Sequence, residues 1–165
     1  MKKLVLLLFT LICSLSTMAQ KLEQGSFAVL NGVKLVNTEM EFVSVHGMSE
    51  ADFSEYEKDW KEDKPQIVDF FITRANIPLE GLVILGSFPK AAYTLKVTVN
   101  AISEKGNYDC DVTLLDAGRS VLARLSGVCA KGGTWGTKLN LIKDGARHTG
   151  KKLGETLRAE IKKAK

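Results

Sequence analysis

The sequence at residues 92–128 reads AYTLKVTVNAISEKGNYDCDVTLLDAGRSVLARLSGV, and this stretch decides the fold. Apolar and polar residues alternate along residues 93–101, which is the period-two pattern of a strand with one buried face. The alternation returns in residues 107–116 and 119–128, and Ala117-Gly118 forms a turn between them. The stretch therefore predicts three consecutive antiparallel strands, against which the flanking segments must pack.

Residues upstream of these strands predict further β structure. Phe27–Leu30, Asn31-Gly32 and residues 33–36 fit a hairpin with a type I′ turn, because Asn and Gly both tolerate positive φ. One long strand with a bulge at Gly32 fits the same residues. Two short strands are also predicted, Met40–Val45 and Leu82–Leu85.

Helical patterns follow the upstream strands. Ser49 can cap a first helix, because its hydroxyl can accept the backbone N–H of Asp52. Pro65 has no N–H, so we expect it to end this helix and to begin a second one. The segment Asn76-Ile77-Pro78 is expected to stop the second helix.

A long helix is predicted over residues 138–163, and its apolar face includes Gly150 and Gly154. Each internal glycine costs about 1 kcal/mol relative to alanine, so a packing reason is expected. We predict that the missing side chains let this helix lie close to the sheet.

Together these elements predict an α+β fold of the two-layer sandwich type. We expect a mixed, mostly antiparallel sheet of about five strands, with helices near residues 49–76 and 138–163 on one face. Residues 20–165 are long enough to bury a core of their own, and we expect them to form a single domain.

Residues 1–19 carry the features of a secretory signal peptide. A basic start is followed by an apolar run over residues 4–12, which is too short to span a membrane. Thr17-Met18-Ala19 supplies small residues at a cleavage site. Lipidation at Cys13 is the alternative, although the bulky Ile12 stands where a lipobox has a small residue. The sequence thus predicts an exported protein, periplasmic or secreted, with no transmembrane segment in the mature chain.

The charge balance does not favour a nucleic-acid partner. The chain has 23 Lys and Arg against 19 Asp and Glu, and removal of residues 1–19 takes Lys2 and Lys3 away. The mature net charge of about +2 is too small to indicate a polyanion site.

Two cysteines remain after cleavage, Cys110 and Cys129. If Asp116 pairs with Arg119 across the turn, both thiols lie on the buried face, about 13 Å apart along the sheet. A disulfide needs Cα atoms within roughly 7 Å. This register favours two free thiols, and a bulge that brings the thiols together is the alternative.

The sequence shows no catalytic or metal-binding constellation. Residues 145–152 approach a phosphate-binding P-loop, but Lys152 stands where Ser or Thr must ligate magnesium. The two histidines, His46 and His148, have no carboxylate or cysteine at metal-ligand spacing. We therefore predict no catalytic residues, no cofactor and no metal.

The glycine-rich segment Gly132–Thr137 is the stretch that suggests a ligand site. Its backbone N–H groups could meet an anion beside Lys131 and Lys138. A plain strand-to-helix connection, with Trp135 closing the edge of the core, is the favoured interpretation. The candidate ligand-binding residues are Trp135, Lys138 and His148.

The order of these elements resembles that of known exported proteins. Residues 93–99, the strand ending at Leu114–Gly118 and the last helix with Gly150 are similar to small Gram-negative proteins of unassigned function. The chain more remotely resembles the periplasmic domain of curli-secretion-channel lipoproteins and related accessory lipoproteins, from which it departs by lacking a lipobox. The likeness implies an α+β domain with helices on one face of a mixed sheet, and it transfers no site residues.

These observations predict a non-catalytic, envelope-associated protein that acts by binding or assembly, with an envelope protein as partner. The alternative is a small-ligand carrier or enzyme with a site near the glycine-rich loop and the C-terminal helix. A third interpretation is a strand-edge adaptor, in which Leu82–Leu85 pairs with a partner strand. The sequence does not specify an oligomeric state.

Overall fold

The computed structural model describes residues 20–163. Within that range the chain forms eight strands, three α-helices and a short 3₁₀ helix at Phe27–Leu30. The strands are β1 (Lys21–Gly25), β2 (Leu35–Phe42), β3 (Ser44–Val45), β4 (Met48–Ser49), β5 (Ile84–Gly86), β6 (Tyr93–Ile102), β7 (Tyr108–Asp116) and β8 (Val121–Ala130). The helices are α1 (Glu50–Tyr56), α2 (Trp60–Leu79) and α3 (Lys138–Ile161).

The sheet has the strand order β1-β8-β7-β6-β2-β5, and β3 and β4 extend it beside the end of β6. Strands β1, β8, β7 and β6 pair antiparallel, whereas β2 pairs parallel with both β6 and β5. The expectation of helices and a mixed sheet is confirmed, but the expected five, mostly antiparallel strands are wrong. Helices α1 and α2 form the crossover from β2 to β5, which makes the parallel pairing possible.

The central strands β6, β7 and β8 form as predicted, but in a different register. The N–H of Asp116 donates to the carbonyl of Ser120 at 3.0 Å, so the turn contains one more residue than expected. Arg119 takes the left-handed conformation in this turn, at φ 66°. A bulge between Cys110 and Val112 then shifts the pairing with β8 again.

The register change places the two cysteines on opposite faces of the sheet. Cys110 is buried, and it opposes Val128, whereas Cys129 lies directly opposite Asp109. Consecutive residues of a strand point to opposite faces, so Cys129 shares the outer face with Asp109. Both thiols are free, but the expectation that they share the buried face is wrong.

The predicted N-terminal hairpin does not form. Phe27–Leu30 is a 3₁₀ helix, which Ser26 caps by accepting the N–H of Ala28 at 3.1 Å. Asn31 has φ −63° and Gly32 has φ 84°, so the turn is of type II rather than type I′. Only Gly32 uses its tolerance of positive φ.

The helix boundaries also differ from the predicted ones. Ser49 caps α1 as expected, accepting the N–H of Asp52 at 3.2 Å. The break between the first and second helices falls after Tyr56 rather than at Pro65. Both Pro65 and Pro78 lie inside α2. Pro65 and the residue one turn before it are exposed, so water can satisfy the carbonyl that proline leaves unpaired.

Helices α2 and α3 pack against each other and against one face of the sheet. A Cβ atom on Gly150 would lie 2.1 Å from the carbonyl oxygen of Phe71, and one on Gly154 would lie 2.1 Å from that of Ala75. These glycines therefore let α3 approach α2, and the expectation that they face the sheet is wrong. Gly145 makes the close contact with the sheet end, because its Cβ would meet the carbonyl of Gly106 at 1.9 Å.

We expect Gly150→Ala to lower the free energy of unfolding by about 2 kcal/mol, because an overpacked contact outweighs the gain in helix propensity. The matched control is Lys151→Ala on the exposed side of the same turn, where loss of a weak ion pair should cost less than about 0.5 kcal/mol. Urea denaturation measures both. Equal effects of the two substitutions would contradict the packing role of Gly150.

Candidate functional site

The loop between β8 and α3 forms the candidate site, at the end of the sheet where β6 and β8 finish. We call this loop, residues 131–137, the Trp loop. It lies next to the turn that joins β6 to β7, because the N–H of Gly132 donates to Oδ1 of Asn107 at 2.8 Å. A Cβ at position 132 would lie 2.0 Å from the carbonyl oxygen of Lys105, so only glycine allows this approach.

Both ends of the Trp loop are held in place. At its start, Nδ1 of His148 donates to the carbonyl oxygen of Lys131 at 2.9 Å. At its end, Oγ1 of Thr137 accepts the N–H of Asn140 at 3.3 Å and caps α3. The segment between these anchors is therefore held at both ends.

Trp135 projects from the middle of the Trp loop and is 88 % exposed. The expectation that it closes the edge of the core is wrong. The other tryptophan, Trp60, is 1 % exposed and packs edge-to-face on Phe42 and Phe53. An exposed indole adds little to the stability of the core, so it is available for contact with another molecule.

Lys138 is the first residue of α3 and contacts an aromatic side chain of α1. Its ammonium group donates to the hydroxyl of Tyr56 and lies 4.4 Å from the centroid of the ring. The hydrogen bond to Tyr56 raises the pKa of Lys138. Tyr56 is itself 56 % exposed, so this pair adds a second aromatic surface near the Trp loop.

His148 lies ten residues after Lys138 on α3, which is about 15 Å along the helix axis. Its ring borders a groove of about 460 Å³ between α2 and α3, lined also by Arg74, Asp144, Arg147 and Lys151. The structure therefore does not bring Trp135, Lys138 and His148 into one pocket. His148 hydrogen-bonds to the first residue of the loop, and Lys138 directly follows its last residue. Trp135 is the exposed tip of the loop.

A separate hollow of about 440 Å³ lies under the Trp loop, and none of the three candidate residues lines it. Its walls are Lys105, Asn107, Lys131, Gly132, Gly133, Thr134 and Leu141. Sequence reasoning missed Asn107 and Tyr56, which hold the loop and the start of α3. Asn107 carries no sequence signal beyond that of an ordinary turn residue.

Burial favours the uncharged forms of three titratable side chains, Tyr108, Cys110 and Cys129. Burial raises the pKa of Cys110 and of Tyr108 well above the usual values. Burial, followed by the hydrogen bond from Sγ to Asp109 at 3.3 Å, raises the pKa of Cys129 to about 11. A protonated thiol is a poor nucleophile. Among residues 20–163, no three His, Cys, Asp or Glu side chains gather to hold a metal ion.

The outer face of the sheet is polar, and it carries two ion pairs. Both guanidinium nitrogens of Arg119 donate to the carboxylate of Glu39, at 2.7 and 3.0 Å. Lys96 lies 2.9 Å from the carboxylate of Glu41. A shallow groove of about 430 Å³ crosses this face without any aromatic side chain in its lining.

The outer edge of β5 is closed by a side chain, which argues against the strand-edge adaptor. The amide of Asn76 accepts the N–H of Leu85 at 2.8 Å and donates to its carbonyl at 2.9 Å. These are the groups that a partner strand would need at Leu85.

The sequence matches no protein-family model and no curated protein. Among solved structures, a PelC dodecamer from Paraburkholderia phytofirmans shares 13 % identity, covers 84 % of this chain and 97 % of its own, and has a TM-score of 0.48. A single-substitution variant of that protein gives 13 % identity, the same coverage and a TM-score of 0.49. Protein XCC0632 from Xanthomonas campestris shares 11 % identity over 78 % of this chain and 81 % of its own, with a TM-score of 0.38.

Likeness at this level says nothing about function. None of these three structures is a curli-secretion protein by its description, so that resemblance stays a prediction from the sequence. Within residues 20–163, no helix has the length and apolar character needed to span a membrane. The predicted signal peptide lies outside the described residues.

We expect the stability of the protein to fall as the pH drops below about 6.5, through His46. His46 is half-buried against Phe53, and burial, then nearby Lys138, lowers its pKa, while Glu104 and Glu57 raise it. The folded state therefore binds fewer protons than the unfolded state, so stability is present above the unfolded pKa and is lost below it.

His46→Asn should flatten this dependence, because asparagine tolerates the φ of 52° at this position and does not titrate. The measurement is the urea midpoint of both proteins at about pH 7.5 and about pH 5.5. An unchanged slope in the variant would assign the pH dependence to other groups.

We expect Cys129 to react with iodoacetamide at pH 8 roughly a hundredfold more slowly than a free thiol, because little of it is thiolate at a pKa of about 11. Asp109→Asn removes the carboxylate that accepts its hydrogen bond and should speed the reaction. Mass spectrometry of the alkylated peptide measures both rates. Fast alkylation of the folded parent protein would contradict the raised pKa.

Proposed function

We propose that this is an exported, non-catalytic envelope protein that binds a protein partner through the Trp loop. The observation that carries the proposal is the exposed indole of Trp135, held at the tip of a loop whose two ends are anchored. Tryptophan is enriched among the residues that dominate binding energy at interfaces. Export itself is the expectation drawn from residues 1–19.

The energetics of such a contact favour binding. A tryptophan side chain buries on the order of 200 Å², a gross hydrophobic contribution of about 5 kcal/mol at 25 cal/mol per Å², from which the cost of association is subtracted. Because Gly132, Thr137 and His148 already hold the loop, little conformational entropy is lost when a partner covers it. The loop therefore suits a binding role that leaves the rest of the fold unchanged.

The states of the other polar groups support binding over catalysis. The raised pKa values of Cys110 and Cys129 favour the protonated thiols, and Glu39 and Glu41 on the outer sheet face are paired with Arg119 and Lys96. Lys138 is engaged with Tyr56 rather than free to act on a substrate. These residues show no activated nucleophile or base in a cleft.

A small-anion carrier is the second candidate. The hollow under the Trp loop is flanked by Lys105 and Lys131, which would attract an anion. Against it, the N–H of Gly132 is already used by Asn107. If the carrier role were correct, phosphate or a sugar phosphate would raise the melting temperature, and Lys131→Ala would remove that shift.

Site-specific photocross-linking tests the binding role. Trp135 is replaced by benzoylphenylalanine in the native host, and the same replacement at Gln66, an exposed position on α2, is the control. We expect one discrete cross-linked adduct from position 135 and none from position 66. No adduct at either position, or equal adducts at both, would overturn the proposal.

A Trp135→Ala variant provides a stability control. The side chain is exposed, so its removal should change the free energy of unfolding by less than about 0.5 kcal/mol. Loss of partner binding without loss of stability would then be assigned to the contact itself.

A further inference from the structure

We infer that the groove between α2 and α3 is a binding site for a doubly charged phosphate group. We call it the interhelix groove, and it has a volume of about 460 Å³. Its lining consists of Arg74 from α2 and of Asp144, Arg147, His148 and Lys151 from α3. It shares no lining residue with the hollow under the Trp loop, so the inference goes beyond the proposed binding of a protein partner.

Helical spacing brings the charged side chains of the interhelix groove together. Arg147 and Lys151 are four residues apart on α3, and Phe70 and Arg74 have the same spacing on α2. Residues four apart lie one above the other on the same face of a helix. The guanidinium carbon of Arg147 lies 4.0 Å from the centroid of the Phe70 ring, so these two faces meet. The fold thus gathers three cationic groups from two helices around one groove.

The interhelix groove carries more positive charge than its own acid balances. Three of its side chains are cationic and Asp144 alone is anionic, so with His148 uncharged the local charge is about +2. Arg74 has no ion-pair partner among residues 20–163. Lys151 has only an exposed partner, Glu155, at 3.7 Å. Because walls of one sign raise the local concentration of the opposite ion, the groove attracts an anion.

Arg147 is already held in position for an oxyanion. The Phe70 ring supports one face of its guanidinium, and Nη1 donates to Oδ1 of Asp144 at 2.7 Å. A guanidinium has five N–H donors, of which this bond uses one. The side chain therefore offers further donors and loses little rotamer freedom when a ligand binds.

The lining of the interhelix groove favours a hydrophilic dianion. Every lining residue is charged or is a histidine, so the groove offers no apolar wall to an organic acid. Guanidinium groups recognise phosphate and carboxylate through paired N–H donors. A phosphate group carries close to two negative charges at neutral pH, which matches the local charge, whereas one carboxylate balances half of it. Its oxygens also point in three directions, towards donors on α2 and on two successive turns of α3.

The stretch that approaches a P-loop in sequence supplies most of this lining. Residues 145–152 form part of α3, so their backbone N–H groups are engaged within the helix and do not cradle a phosphate. The side chains of Arg147, His148 and Lys151 reach the groove instead. The inference therefore rests on side-chain charge and not on the P-loop motif.

Titration of the ¹⁵N-labelled protein with inorganic phosphate, followed by NMR, tests the site. We expect saturable shifts of the amide signals of Arg74 and residues 144–151, with a dissociation constant of about 1 mM. Arg74→Gln should weaken binding about tenfold, because it removes a charge-assisted contact. Lys34→Gln is the matched control, because it removes the same charge from an exposed position outside the groove. It should leave the dissociation constant within about twofold of that of the parent protein.

Two comparisons check the charge of the ligand. Asp144→Asn removes the only carboxylate of the groove and should tighten phosphate binding about threefold or more. A loss of packing alone would not tighten binding. Acetate, with a single charge, should bind the parent protein about tenfold more weakly than phosphate.

Two further measurements identify the source of the phosphate and separate the interhelix groove from the hollow under the Trp loop. Cosedimentation with phosphatidylglycerol vesicles, which Arg74→Gln abolishes and phosphatidylcholine vesicles do not reproduce, would assign a lipid headgroup. Shifts with inorganic phosphate and no cosedimentation would assign a soluble phosphate. Lys131→Ala alters the hollow alone, so it should leave phosphate binding unchanged.

Three results would overturn the inference. The first is the absence of both vesicle binding and saturable shifts at about 20 mM phosphate. The second is equal affinity for acetate and phosphate. The third is loss of phosphate binding in Lys131→Ala with full binding in Arg74→Gln, which would place the anion under the Trp loop. Photocross-linking at position 135 probes a different surface, so the proposed function stands or fails independently of these results.

Discussion

The close approach of α3 to its neighbours is the constraint on which the rest of the structure depends. Gly150 and Gly154 place the helix directly on the backbone of α2, and Gly145 places it on the turn between β6 and β7. Interiors are close-packed, so three such contacts leave the helix little freedom to shift. The position of α3 in turn determines where its first residue lies and where the preceding loop must run.

These contacts of α3 fix the position of the Trp loop. Gly132 reaches the β6–β7 turn through Asn107, and His148 reaches back from α3 to the carbonyl of Lys131. Trp135, a side chain that no core residue covers, thus lies on a loop that hydrogen bonds tie to the β6–β7 turn and to α3. This arrangement suits binding, because the cost of ordering the contact surface is met when the protein folds.

Sequence reasoning succeeded where a local pattern was long or chemically specific. The alternation in residues 93–128 predicted β6, β7 and β8, and Ser49 predicted its own helix cap. It failed at β1 and β4, which are too short to show a period. Sequence reasoning also placed the break between the first two helices at Pro65. The carbonyl that proline leaves without a helical partner is near solvent, so proline destabilises the helix less than expected.

The sequence by itself determined the class of fold and the three central strands, and it predicted the stretch in which to look for a site. The tertiary structure alone decided how the side chains of that stretch are arranged. Whether Trp135 turns inward or outward depends on hydrogen bonds between residues 25 and 17 positions apart, and no local pattern encodes them. The face on which Cys129 lies was likewise decided by one bulge, because a shift of one residue moves a side chain to the opposite side of a sheet.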